Sequence, residues 1–205
     1  MSARARLQAD PAVDLIEVAA AIGRRLSNEA IWHGERCNWV GGKLAPGTHN
    51  ELVEHYAALD ATLYEGTCGV GLFLAELHRL TGDEDARRTA VGAIRQALAA
   101  APEALAGRGL YSGTAGVALA AARVGLLVSE PWLGEAAADL AATVIGPTGA
   151  DEELDLLNGT AGTIVALLAL ARLLDDSGLE EAAVRLGDEL VEAGVEDEPG
   201  GAGMS

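Results

Sequence analysis

Apolar residues recur along this chain at helical spacing in two alternating styles. Val70, Phe73, Leu74, Leu77 and Leu80 make one run, Val117, Ala120, Ala121 and Val124 a second, and Ile164, Val165, Leu167, Leu168, Ala171 and Leu174 a third. The third is apolar nearly all round, which predicts an inner helix covered on every side. The segments between these runs are two-faced. Asp83 to Ala100 gathers Ala86, Ala90, Ile94, Ala97 and Leu98 on one face and puts Arg87, Arg88, Arg95 and Gln96 elsewhere, as an outer helix would. Thr81-Gly82-Asp83-Glu84 reads as its capping box. Trp132 to Val144, with Pro131 at an early helix position, and Leu179 to Val191 repeat the outer pattern. The chain is therefore expected to be all-α, with helices in two layers.

A short motif precedes each inner run: Tyr64-Glu65-Gly66-Thr67-Cys68-Gly69, Tyr111-Ser112-Gly113-Thr114-Ala115-Gly116 and Leu157-Asn158-Gly159-Thr160-Ala161-Gly162. The shared form is apolar-x-G-T-small-G, and its first glycines stand 47 and 46 residues apart, a period that suits one helix-loop-helix unit per repeat. Glycine at each helix mouth lets the chain turn sharply and lets neighbouring helix ends approach. Gly66, Gly69, Gly113, Gly116, Gly159 and Gly162 are thus candidates for the rim of a shared cavity. Exposed amides at those helix starts would make the rim weakly positive. The alternative is that each motif only caps and packs its helix.

Upstream, Pro11 to Leu26 reads as one helix, and Ile31 to Thr48 as a glycine-rich loop holding Trp32 and Trp39. Residues 1–59 would lead into the repeats and 60–205 would hold three of them within a single domain. A fourth motif is due near position 205 or 206, so the sequence reads as a ring of helix pairs that stops partway. Its open edge would invite self-association.

Composition narrows the function. The net charge of -17 repels phosphate backbones and anionic headgroups, so nucleic acid and membrane surfaces are poor partners and a small molecule or peptide fits better. The longest uncharged run, Leu156 to Ala171, is too short to span a bilayer, and the N-terminus has no apolar signal segment, so a cytoplasmic protein is expected. Cys37 and Cys68 make no CxxC pair, and reduced thiols are the default. Cys68 fills the small-residue slot that Ala115 and Ala161 fill in the other motifs. His33 and Cys37 are four apart, but Gly34 between them points to a loop. His49, His55 and His78 have no evident partner.

The repeated motif at this period, together with Leu72-Phe73-Leu74-Ala75-Glu76-Leu77 followed by Thr81-Gly82-Asp83, resembles the lanthionine synthetase C-like cyclase family over residues 60–195. The resemblance implies an incomplete α/α toroid of inner and outer helices. It also implies zinc, for a complete member, activating a cysteine thiol of a dehydrated precursor peptide for addition to dehydroalanine or dehydrobutyrine. Family members carry an aspartate four residues before the first glycine of the third motif. Here that residue is Asp155, the catalytic candidate, where the other repeats have Thr62 and Gly109. A carboxylate there would take the thiol proton or protonate the enolate; alternatively it caps a helix or belongs to the run Asp151-Glu152-Glu153. The zinc motifs of the family, resembling Trp-Cys-x-Gly and Cys-His-Gly, do not occur in this chain, so no metal ligand is assigned and the chain is expected to be inactive alone.

Two other readings stay open. A non-catalytic repeat module would bind a peptide or protein on its concave side with the same helices. A toroidal glycosidase would need paired acids in an aromatic-lined cleft, which one Phe, three Tyr and three Trp make hard to build.

Overall fold

The computed structural model describes residues 15–46, 52–105, 107–149 and 153–196. Helix α1 (Leu15–Glu29) is followed by two hairpins, β1 (Ile31–His33) with β2 (Arg36–Asn38) and β3 (Val40–Pro46) with β4 (Leu52–Ala58). Three helix pairs follow: α2 (Thr67–Thr81) with α3 (Glu84–Ala104), α4 (Thr114–Val128) with α5 (Pro131–Ala141), and α6 (Thr160–Leu174) with α7 (Ser177–Glu196). Within each pair the helices pack on one another. Across pairs α2 packs on α4 and α4 on α6, whereas α3, α5 and α7 lie outside them. The fold is all-α in its main body, an arc of inner helices backed by outer ones.

The core lies between the layers. Leu74, Val117, Val124, Leu167 and Leu170 from inner helices meet Ile94, Leu133 and Leu186 from outer ones, all fully buried. Alanine fills most of the remaining space, and its small volume lets the helices come close. Gly125 repeats the device, since a Cβ there would stand 2.9 Å from Leu133 Cβ.

Helix α4, in the middle of the arc, is the one buried nearly all round. Helix α6 is not covered on every side as its sequence suggested: Val165 (46% exposed) and Leu168 (37%) form a bare stripe with Arg172. Composition cannot tell a helix with neighbours on both sides from one at the edge of the arc.

The capping expectation also needs correcting. Thr81 is the last residue of α2, Gly82 follows in the left-handed conformation (φ 73°), and the cap of α3 is Asp83, whose carboxylate accepts from the amides of Asp85 and Ala86. Helix α5 stops at Ala141, short of Val144, and α7 runs past both ends of the expected segment. The first helix begins at Leu15 and reaches Glu29, while residues 11–14 of the expected helix lie outside the described residues.

Residues 31–46 are strands, not a loop. The first hairpin lies on α3, with Cys37 Sγ donating to the Thr89 carbonyl (3.4 Å) and Trp32 resting on Gly92, where a Cβ would meet the indole at 2.7 Å. Trp39 is buried and its indole donates to the Leu26 carbonyl (2.8 Å), tying α1 to the strands. The β3–β4 hairpin projects: Val40, Leu44, Leu52 and Tyr56, which share a face by register, are all exposed. Among the described residues no helix is long and apolar enough to cross a membrane.

Candidate functional site

The three motif loops come together in one row. The Tyr64 amide donates to the Tyr111 carbonyl (3.0 Å), and the Tyr111 amide to the Leu157 carbonyl (2.9 Å), so equivalent residues of successive repeats are joined by their backbones. The Tyr64 and Tyr111 rings meet edge to face, 6.4 Å apart, and Ser112 Oγ bonds Asn158 Oδ1. The row of mouths is one continuous surface.

Each loop closes on its own helix. Thr67, Thr114 and Thr160 donate their amides to the carbonyls seven residues earlier, those of Asp60, Gly107 and Glu153 (2.9, 3.1 and 2.9 Å). In the second and third repeats the next two amides do the same: Ala115 and Gly116 reach Arg108 and Gly109, and Ala161 and Gly162 reach Leu154 and Asp155. The helix starts therefore present these amides to their own loops. In the second and third repeats the weakly positive rim expected from free amides is not what they form, because the chain spends three amides at each helix start on its own loop.

The six motif glycines are explained by closeness rather than by unusual torsions. A Cβ on Gly66, Gly113 or Gly159, the residues that start α2, α4 and α6, would stand 2.1–2.3 Å from loop backbone atoms. One on Gly69, Gly116 or Gly162 would meet the carbonyl oxygen six residues earlier, of Leu63, Leu110 or Leu156, at 2.4, 1.8 and 2.2 Å. Gly109, which the motif did not single out, packs on Asn158 of the next loop, with 2.2 Å to that carbonyl carbon for a Cβ.

Asp155 lies in this row, exposed, at the turn before α6. Its Oδ1 accepts from the amides of Asn158 (3.0 Å) and Leu157 (2.5 Å). These bonds stabilise the charged form and hold its pKa below the ordinary carboxylate value. It is an ionised group at neutral pH, so it suits accepting a proton or a hydrogen bond and not donating one. It tightens its own loop and does not cap α6, which starts at Gly159 with no side-chain cap.

Beside the first mouth, a cavity of about 370 Å³ is lined by Ile22, Leu26, Tyr64, Gly66, Val70 and Phe73. Of the motif glycines only Gly66 and Gly69 line it. The most deeply placed charged group among the described residues was not foreseen: Arg108, buried, donates to the carbonyl of Gly146 (2.7 Å) and to Thr148 Oγ (2.9 Å), while Thr163 Oγ donates to its carbonyl (3.1 Å). It fixes the segment after α5 against the third mouth, and nothing in the periodicity marked it.

A family model described as Lanthionine synthetase C-like protein matches residues 57–200, more than half of the chain. The chain belongs to the lanthionine synthetase C-like family. No curated protein matches it. The family's repeats therefore account for the helix pairs, and the two hairpins and α1 lie almost wholly before the matched region.

The described residues of this family member do not fit a zinc site. Among the described residues no three His, Cys, Asp or Glu side chains come together. Cys37 and Cys68 are buried apart, the first with its thiol pushed up to about 12 by burial and the second raised further by the same cause. His33 pairs across the hairpin with Arg36, and Cys37 with Trp32, so the i, i+4 pair does not converge.

Proposed function

We propose that this chain forms the peptide-facing wall of a thioether-forming centre, with Asp155 facing the cysteine of a dehydrated precursor peptide. The observation that carries this reading is the row of laddered mouths with the ionised carboxylate of Asp155, held by the amides of Leu157 and Asn158, set in its third loop. In the reaction the cysteine S–H bond breaks, a sulfur–carbon bond forms, the carbon–carbon double bond of dehydroalanine or dehydrobutyrine opens, and the α-carbon takes up a proton, so that S–H adds across the double bond with nothing lost. The ordinary gap between a thiol and an aspartate is about 4.6 pKa units, and the two amides on Asp155 widen it. Asp155 alone is a weak base for a thiol, and its role is to hold the S–H by a hydrogen bond and orient it. With no zinc-binding set among its described residues, the chain by itself binds the peptide and does not close rings.

The test uses a synthetic peptide bearing one dehydroalanine and one cysteine. Because cyclisation leaves the mass unchanged, free thiol is counted by iodoacetamide labelling alongside binding by fluorescence anisotropy. The expected result is saturable binding without thiol loss above the spontaneous rate, with Asp155→Asn weakening binding of the cysteine peptide more than that of its alanine analogue. Failure to bind would remove the proposal, and thiol consumption would show that the chain catalyses unaided. A repeat module that binds unmodified peptides is the second reading, favoured if both peptides bind alike. We also propose self-association through the exposed apolar residues of α1 (Leu15, Val18, Ile22) and α6 (Val165, Leu168).

A further inference from the structure

Away from the mouths, three of the chain's 14 basic side chains gather in one cleft on its outer side. The cleft encloses about 250 Å³ between the β1–β2 hairpin, α3 and the start of α5, and its lining includes Trp32, Glu35, Arg87, Arg88, Arg95 and Glu130. The Arg88 guanidinium lies 4.6 Å over the Trp32 ring, and that of Arg95 lies 4.3 Å over the Trp132 ring. Both indoles are held from behind: Trp32 rests on Gly92, and Trp132 donates to Glu130 Oε2 (3.0 Å). Arg87 pairs with Glu130 at 2.7 Å, donates to the Val128 carbonyl and has Glu84 at 4.0 Å. It is part of the frame.

The other two guanidiniums differ. Arg95 pairs at 2.9 Å with Glu35, whose side chain is 78% exposed on the turn that Gly34 makes with φ +60°. Arg88 has, among the described residues, no carboxylate within ion-pair distance. The cleft thus already seats one carboxylate from an exposed polypeptide turn and keeps a second guanidinium for another. In a chain of net charge -17 it is a local place where an anionic group is attracted. Stacking on indole holds each planar fork in position, so less freedom is lost on binding.

We propose that this cleft docks an acidic segment of a partner polypeptide, one carboxylate engaging Arg88 and another displacing Glu35 from Arg95. The occupant is a peptide and not a free anion because the group that occupies Arg95 now is itself a glutamate on an extended turn. This site stands independently of the thioether chemistry.

Trp32 lines the cleft and Trp132 stacks on Arg95 beside it, so the intrinsic fluorescence of the full chain reads it directly. Titration at low salt with an acetylated, amidated hexaglutamate peptide is expected to give a saturable change. Arg88→Ala should weaken binding at least tenfold, and Arg172→Ala, on α6, should leave it unchanged. Glu35→Gln, on an exposed turn that does not threaten folding, should tighten it by up to about fivefold, the worth of one exposed ion pair. No saturable response, equal binding by Arg88→Ala with a native circular dichroism spectrum, unchanged binding by Glu35→Gln, or citrate binding as tightly as the peptide would each overturn the proposal.

Discussion

The amide of Tyr111 donates to the carbonyl of Leu157 across 2.9 Å, and this bond joins the backbones of the second and third mouths beside the side-chain bond of Ser112 to Asn158. Its counterpart from Tyr64 to Tyr111 does the same for the first and second. Since the bonded groups are backbone, the row survives changes of side chain, but it requires the chains to approach closely. The motif glycines supply that approach.

Gly116→Ala and Gly159→Ala should therefore destabilise strongly. The added Cβ would stand 1.8 Å from the Leu110 carbonyl oxygen in one case and 2.1 Å from that of Glu153 in the other, and backbone cannot swing aside as a side chain can. Each is expected to lower stability by about 1–3 kcal/mol or more in chemical denaturation. Gly187→Ala, within α7 and with nothing within 4 Å of the new methyl, should instead raise it by about 0.5–1 kcal/mol.

The inner and outer helices were readable from the chain because each buries one continuous face at helical spacing, and the mouths because Gly66, Gly113 and Gly159 recur in register. The hairpins were not. Strands of three residues, as in β1 and β2, carry no detectable alternation, and β3 contains Gly41 and Gly42, residues that ordinarily weaken a strand. The β3–β4 hairpin is wet on both faces, so burial imposes no alternation of apolar and polar positions there. At the candidate site, Asp155 was reached through the resemblance, while its local bonds to Leu157 and Asn158 required coordinates. Arg108 stayed hidden because one charged residue between Gly107 and Gly109 looks like any solvated loop position.

Arg108→Ala should loosen the third mouth. It strands the carbonyl of Gly146 and removes one donor from the hydroxyl of Thr148, whose amide is held in turn by Glu189 (2.8 Å). A loss of roughly 1.5–3 kcal/mol is expected, the range for hydrogen bonds to a charged group. Hydrogen exchange should speed up in residues 144–149 and 159–163 ahead of the first repeat; uniform change would argue against a local clamp.

Stability should fall below about pH 4, partly through Asp60. Burial pulls its pKa upward, but bonds from Thr62 and Lys43 outweigh that and leave it below 3.8. A carboxylate depressed in the folded state stabilises above its unfolded pKa and loses that contribution as pH falls through the folded value. Asp60→Asn should flatten this part of the curve of midpoint against pH, with the mutant and native chains converging in acid.

The cysteines should be inert while the chain is folded. Burial raises both thiols, Cys37 to about 12, so neither supplies thiolate near neutral pH. Labelling by a thiol reagent should track denaturation, and fast labelling of either residue in the native chain would contradict their placement.

The most direct test of the central claim, that the three mouths form one peptide-facing surface with Asp155, is a crosslinking map. A dehydrated cysteine peptide carrying a photoreactive residue beside its cysteine is irradiated with the chain, and the adducts are located by mass spectrometry. The account predicts adducts within 62–66, 109–113 and 155–159, competed away by unlabelled peptide. Adducts confined to the outer helices α3, α5 and α7, or spread evenly over the surface, would contradict it.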